Sequence, residues 1–220
     1  MDATPFKNFM RIDIHANVEA GFLNLTKNQK ATPVITLKQV HGAKGYQIKA
    51  DGVGNRSEGD WLWTDVLGLS VGVAVADCTA FLWYGQSSKM NTPFVAAIHA
   101  GWRGTAAKII EEAYDTIRPK EGWALWASPS ICQKHFEVGK EVLDALGEAA
   151  SRFAKPVRGR PEKFLLDLKA FQIEIWKQKS SKGKIDSSPL CTYCESNLYS
   201  YRRLGPQLKN RHLAWIRLKE

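Results

Sequence analysis

The chain has 220 residues, 44% of them apolar and 24% charged, a balance that excludes disordered and fibrous classes and suffices for a single domain spanning residues 1–220. It has no apolar run of about 18 residues, and the opening MDATPFKNFMRIDIH lacks the basic end and apolar core of a signal peptide, so a cytoplasmic protein is expected and a membrane partner is not. The net charge of +9 raises the question of nucleic acid, but the Lys and Arg residues toward the C-terminus, among them Lys177, Lys184, Arg202 and Arg211, accompany no nucleic-acid motif, which favours a solvated basic face or an attraction for phosphorylated small molecules.

Taken in chain order, residues 69–84, LSVGVAVADCTAFLWY, read as a buried strand that stops at Asp77-Cys78 and resumes as FLWY. PFVAAIHA predicts another strand ending at His99, followed by Gly101-Trp102-Arg103-Gly104 and a helix, TAAKIIEEAYDTI, with Ala107, Ile110, Tyr114 and Ile117 near helical spacing and Thr105 placed to cap its first turn. Downstream, WALWASPSI reads as a strand and EVGKEVLDALGEAASRFA as a helix. FLLDLKAFQIEIWKQK predicts a second helix, with Leu165, Leu168, Phe171 and Ile175 on one face. NLYSYRR and HLAWIRL read as strands around a Gly205-Pro206 loop, and the Gly-, Ser- and Lys-rich runs near 51–60 and 179–189 as loops. The element order predicts an α+β fold in which helices cover mixed sheets.

Three short segments place a potential metal ligand beside glycine or at a strand end: Gln39-Val40-His41-Gly42, Ala76-Asp77-Cys78 and the segment from His99 to Gly104. Two imidazoles and one thiolate suit zinc, and a catalytic zinc commonly keeps three protein ligands and one open position, so His41, Cys78 and His99 are the candidate metal ligands and catalytic residues. Two alternatives stand beside this: a metal-free dyad of Cys78 and His99, or two core histidines and an inert buried cysteine. A rival set, Cys132-x-x-His135 with Cys191-x-x-Cys194, has spacing fit for a closed structural zinc site, but nothing in the sequence brings its halves together, and packing and loop roles are favoured. Arg103 falls at a strand-to-helix turn, where backbone amides, helix dipole and guanidinium can jointly hold phosphate; an ordinary surface arginine is the alternative. For Tyr201-Arg202-Arg203 a structural role is favoured over an anion clamp.

Together QVHG at 39–42, DWLWT at 60–64, VADC at 75–78, HAGWRG at 99–104, SPSICQKHFEVG at 128–139, LDLK at 166–169, and CTYC with NLYSYRR at 191–203 resemble the laccase-domain, or multicopper polyphenol oxidase, family. Its YfiH-like bacterial members are similar to zinc-dependent purine nucleoside phosphorylases. The resemblance implies a layered α/β/β/α sandwich and a zinc site at His41, Cys78 and His99. It also implies phosphorolysis of adenosine, inosine, guanosine or methylthioadenosine to base and ribose 1-phosphate, with adenosine deamination alongside. The chain differs in retaining only GFLNL of the family's N-terminal pattern, in Ala80 where a proline is common, and in Lys134-His135 where many members carry two cysteines. Copper is disfavoured as the cofactor, because five histidines are too few for a mononuclear and a trinuclear copper site. The remaining alternatives are a Cys/His hydrolase or peptidoglycan-precursor editing enzyme and, less favoured, a polyphenol oxidase or a non-catalytic binding protein.

Overall fold

The computed structural model describes residues 9–25, 33–49 and 57–220, so part of the expected loop near 51–60 lies outside the described residues. Two mixed sheets carry the architecture, which is α+β. The first has the order β1 (Phe9–Ile12), β2 (Val18–Leu25), β14 (Arg211–Leu218), β6 (Ser70–Val75), β3 (Val34–Ile35), antiparallel except where β3 runs alongside β6. The second has six strands in the order β13 (Lys184–Ser187), β9 (Ala124–Ala127), β7 (Thr79–Gln86), β8 (Pro93–Ala100), β5 (Trp61–Thr64), β4 (Gly45–Gln47), with parallel pairs at both edges and antiparallel pairs between.

Alternating side chains of these strands divide into two cores. Phe22, Val71, Val73 and Ala214 of the five-stranded sheet meet Leu82, Val95, Ala97 and Trp126 of the six-stranded sheet. On the opposite face of the six-stranded sheet, Phe81, Trp83, Phe94 and Ile98 pack against α2 (Ile109–Ile117) and Trp176 of α4 (Leu168–Lys179). Trp83 is fully buried and meets Phe94 edge to face at 4.9 Å and Trp176 at 4.8 Å. Offset and edge-on ring packing of this kind adds to the area term and makes β7 and β8 a stiff platform. A small sheet, β10 (Glu137–Gly139), β12 (Arg160–Leu166), β11 (Ala154–Val157), closes one side with α3 (Lys140–Leu146).

Several local expectations change. The helix after HAGWRG is two: α1 (Trp102–Ala106) ends at Ala107, and Lys108, at φ 63°, makes a left-handed break before α2. Thr105 therefore caps nothing; buried inside α1, its hydroxyl donates to the Gly101 carbonyl and accepts from Gln172 Nε2. The EVGKEV segment begins as β10, and Gly147, at φ 85°, ends α3 after seven residues, a backbone region that favours glycine. FLLDL is not helical up to Asp167: Leu165 lies in β12, pairing with both Glu137 and Lys155, and Asp167 caps α4 by accepting from Ala170 N at 3.0 Å. Two-sided strand pairing outweighs the helical propensity of a leucine-rich run. NLYSYRR is a turn and a single helical turn, α5 (Tyr201–Leu204), capped by Ser200, and the 179–189 run contains the edge strand β13.

Candidate active site

The chain passes from the five-stranded to the six-stranded sheet at Asp77-Cys78, between β6 and β7. Asp77 makes that corner at φ 88°, a conformation uncommon outside glycine and one that persists only where the surroundings hold it. They do: its carboxylate accepts from Thr192 Oγ1 and the Arg202 N–H, both at 2.6 Å, and its carbonyl accepts from the Ile131 N–H at 3.0 Å. Cys78 follows at once. His99 is the penultimate residue of β8, opposite Ala80 of β7. His41, at φ 61°, sits in the turn between β3 and β4.

One residue that sequence reasoning left without a role organises this centre. Asp60, fully buried before β5, places Oδ1 2.8 Å from His99 Nδ1. The same carboxylate accepts the backbone N–H groups of His41 at 2.9 Å, Gly42 at 2.7 Å and Val40 at 3.3 Å. A lone buried carboxylate would cost several kcal/mol, so these four donors are what make its position stable. Asp60 thus shapes the QVHG turn and fixes His99 with Nε2 free to face the centre, the carboxylate–histidine arrangement common behind metal-ligating imidazoles. A carboxylate directly before the apolar WLWT run was the available signal.

The ligand atoms of His41, Cys78 and His99 lie within 4.8 Å of one another, and the two rings meet nearly edge to face at 4.7 Å. Gly101 permits this closeness: a Cβ there would stand 2.9 Å from Cys78 Sγ and 3.4 Å from His41 Cδ2. Burial alone would push the Cys78 thiol up, but hydrogen bonds with His41 and His99 and the charge of His99 hold it at about 6. Burial likewise opposes protonation of His99, and Asp60 and Cys78 outweigh it, raising that imidazole to about 9. Burial would also raise the Asp60 carboxyl, yet its bonds to His99 and Gly42 keep it below the ordinary value. Without a metal, these opposed shifts favour the charged forms of both groups, a Cys78 thiolate beside a protonated His99. With the thiol and imidazole deprotonated the centre offers two nitrogens and one sulfur, a donor set that can hold a metal.

The centre opens into a cavity of about 590 Å³, within the usual range of about 300–1,000 Å³ for small-molecule sites. Trp102, Phe136 and Tyr201 give it aromatic walls, and Arg103 and Arg211 give it positive charge. The Arg103 guanidinium is exposed and lies 4.4 Å over the Trp102 ring. Because α1 has only five residues, the expected helix-dipole contribution is small, and the guanidinium itself is the candidate anion group. Arg202 and Arg203 are occupied: Arg202 bonds the carbonyls of His135 and Glu137, and Arg203 those of Thr192, Tyr193, Glu195 and Leu198. The structural role expected for this pair takes the form of carbonyl anchoring. The rival set Cys132, His135, Cys191 and Cys194, whose halves nothing in the sequence connects, does converge, with its donor atoms also within 4.8 Å.

Fold and site together define an α+β protein whose strand ends carry a compact three-donor centre at the mouth of an aromatic cavity. The chain belongs to the family described as multi-copper polyphenol oxidoreductase laccase, which matches residues 8–219. It is 30% identical over 203 residues to a purine nucleoside phosphorylase of Pseudomonas aeruginosa, covering 90% of this chain and 80% of that one. It is 33% identical over 160 residues to an adenosine deaminase of an unknown prokaryotic organism, covering 66% and 57% of the two chains. Among solved structures, a Neisseria meningitidis protein superposes with a TM-score of 0.80 at 24% identity, over 97% of this chain and all of that one. YlmD from Geobacillus stearothermophilus gives 0.78 at 21% identity, over 99% and 98%. These two likenesses speak to the fold.

Proposed function

We propose that this chain, one domain over residues 1–220, is a zinc-dependent purine nucleoside phosphorylase of the cytoplasm. It converts adenosine, inosine, guanosine or methylthioadenosine and phosphate into free base and ribose 1-phosphate, with adenosine deamination as a side activity. The observation that carries this reading is the convergence of His41, Cys78 and His99, backed by Asp60, at a cavity with aromatic walls and an exposed arginine. The phosphorylase relatives supply the reaction class. Two nitrogens and one sulfur on three strand ends and turns fit a zinc that keeps one position open, and zinc bound there would supply Lewis acidity, or a nucleophilic water for deamination.

The chain's own groups carry the rest. Arg103 holds phosphate by charge-assisted hydrogen bonds and orients it toward the sugar. Trp102, Phe136 and Tyr201 line the cavity with aromatic surface against which the purine packs, excluding water from one side of it. Asp60 holds His99 in a single orientation and tautomer. Copper oxidation of phenols fits the centre poorly. His15 stacks on Tyr84, and His212 is buried, accepting from the Tyr199 N–H and held down to about 4 by burial, so neither joins His41 and His99. Nucleic acid is also disfavoured, because Lys179, Lys182 and Lys184 are engaged by Asp115, Glu121 and Asp186 and form no free stripe.

A second reading, a thiol hydrolase acting on peptidoglycan precursors, draws on the thiolate–imidazolium pairing of Cys78 and His99. A nucleoside panel with and without phosphate separates the two. The phosphorylase releases ribose 1-phosphate only with phosphate and stops when chelated; activity that survives the chelator and needs no phosphate overturns this assignment in favour of the hydrolase.

A further inference from the structure

The second cluster is built from two turns. Cys132 and His135 belong to the turn after β9, closed by the His135 N–H on the Cys132 carbonyl at 3.0 Å, and Cys191 and Cys194 to a turn closed by the Glu195 N–H on the Cys191 carbonyl at 3.0 Å. The backbone docks these turns together: Ser130 and Cys191 form a parallel bridge, and the Thr192 N–H donates to the Ser130 carbonyl at 3.1 Å. Docking brings Cys132 Sγ to 3.3 Å from His135 Nδ1 and 4.0 Å from Cys194 Sγ, with Cys194 Sγ 3.4 Å from the same nitrogen. Zinc–sulfur bonds of about 2.3 Å and zinc–nitrogen bonds of about 2.0–2.1 Å in a tetrahedron require sulfurs about 3.8 Å apart and sulfur–nitrogen distances of about 3.6 Å. The three separations lie within about 0.3 Å of those values, and all four donor atoms, Cys191 Sγ included, are within 4.8 Å of one another.

Burial opposes ionisation of Cys191 and its hydrogen bonds overcome it, while burial raises the Cys132 thiol and the hydrogen bond with Cys191 pushes Cys194 up to about 12, so the cluster favours one thiolate and a bound cation would draw off the other two protons. The Cys132 N–H donates to Cys191 Sγ at 3.2 Å, and the Cys194 N–H points to the same sulfur. Lys169, its Nζ 2.6 Å from the Ser188 carbonyl, adds positive potential beside Cys132 and Cys191. The His135 ring is held face to face on Tyr193 at 4.2 Å, which aims Nδ1 at the sulfurs. A disulfide would use two of these four groups and leave that orientation of His135 without a purpose. We infer that Cys132, His135, Cys191 and Cys194 bind a second zinc ion in a closed structural site, separate from the His41–Cys78–His99 centre.

Such a site fastens the wall of the catalytic cavity. The turns it joins carry Thr192 and Ile131, both hydrogen-bonded to Asp77, the corner residue that sets the position of Cys78. Four protein ligands leave no open position, so the role is positioning and stability, not chemistry.

The test is metal stoichiometry on the full chain, stripped, reloaded with excess zinc and gel-filtered before elemental analysis. Two zinc ions per chain are expected, falling to one in Cys78→Ser and to one in the double variant Cys191→Ser/Cys194→Ser, whichever substrate the enzyme proves to use. Cobalt loading leaves the cluster itself unaltered: the wild-type chain is expected to bind two cobalt ions, and the one that remains in Cys78→Ser to give the intense visible bands and sulfur-to-cobalt charge transfer of a tetrahedral site with three sulfurs. A single zinc per wild-type chain, lost in Cys78→Ser, overturns the inference. So does a thiol count showing Cys132 and Cys194 joined as a disulfide in the zinc-loaded chain.

Discussion

The two clusters use nearly the same atoms and differ in what surrounds them. His41, Cys78 and His99 stand on a platform of buried strands, with Asp60 behind one imidazole and a cavity in front. Cys132, His135, Cys191 and Cys194 stand on two turns, with backbone N–H groups behind Cys191 Sγ and a fourth donor in place of the orienting carboxylate. The contrast teaches that ligand type alone does not separate chemistry from support. Three donors, an orienting carboxylate and an opening suit a reactive metal centre, while four donors suit a structural one.

The comparison is broken most sharply by His99→Ala, which removes a ligand and the partner of Asp60. Phosphorolysis is expected to fall to background in a coupled assay for free base, while the four-ligand cluster keeps its zinc by elemental analysis. Asp60→Asn is the milder form of the same test. It leaves every first ligand in place, yet the loss of an orienting carboxylate is expected to weaken zinc binding or turnover by about 10- to 100-fold, read by chelator competition and kcat. Arg103→Ala, at an exposed position, is expected to raise the KM for phosphate by about 10-fold and leave that for the nucleoside nearly unchanged, the low end for a hydrogen bond to a charged group. The smallest effect concerns pH. In metal-stripped protein the thiol of Cys78 is held down to about 6 by His41 and His99 against burial, so iodoacetamide labelling of Cys78 should persist as pH falls and decline only through about 6, well below the midpoint of about 8.5 for an ordinary thiol.

Much of the three-donor cluster was legible because Cys78 and His99 end apolar runs. VGVAVA and FVAAI are short, β-rich apolar runs that read as buried strands, which places Cys78 and His99 at strand ends. Asp60 was not legible in role, since a single acidic residue before WLWT reads equally as a loop residue, and only the pairing of β5 with β8 puts it under His99. The four-ligand cluster shows the same limit on a larger scale. Its C-x-x-H and C-x-x-C spacings were visible, but the bridge between Ser130 and Cys191 that unites them spans most of the C-terminal half. Local structure failed where tertiary pairing overrode propensity, as in β12, and where a single residue changed the backbone, as at Lys108 and Gly147.

The central claim is that a metal held by His41, Cys78 and His99 is what makes this chain a phosphorylase. Titrating the stripped chain with zinc while recording ribose 1-phosphate from inosine and phosphate tests it most directly. Product formation should rise in step with occupancy of that centre and stay absent in Cys78→Ser at any zinc concentration; full turnover by the wild-type chain before zinc is added would contradict it.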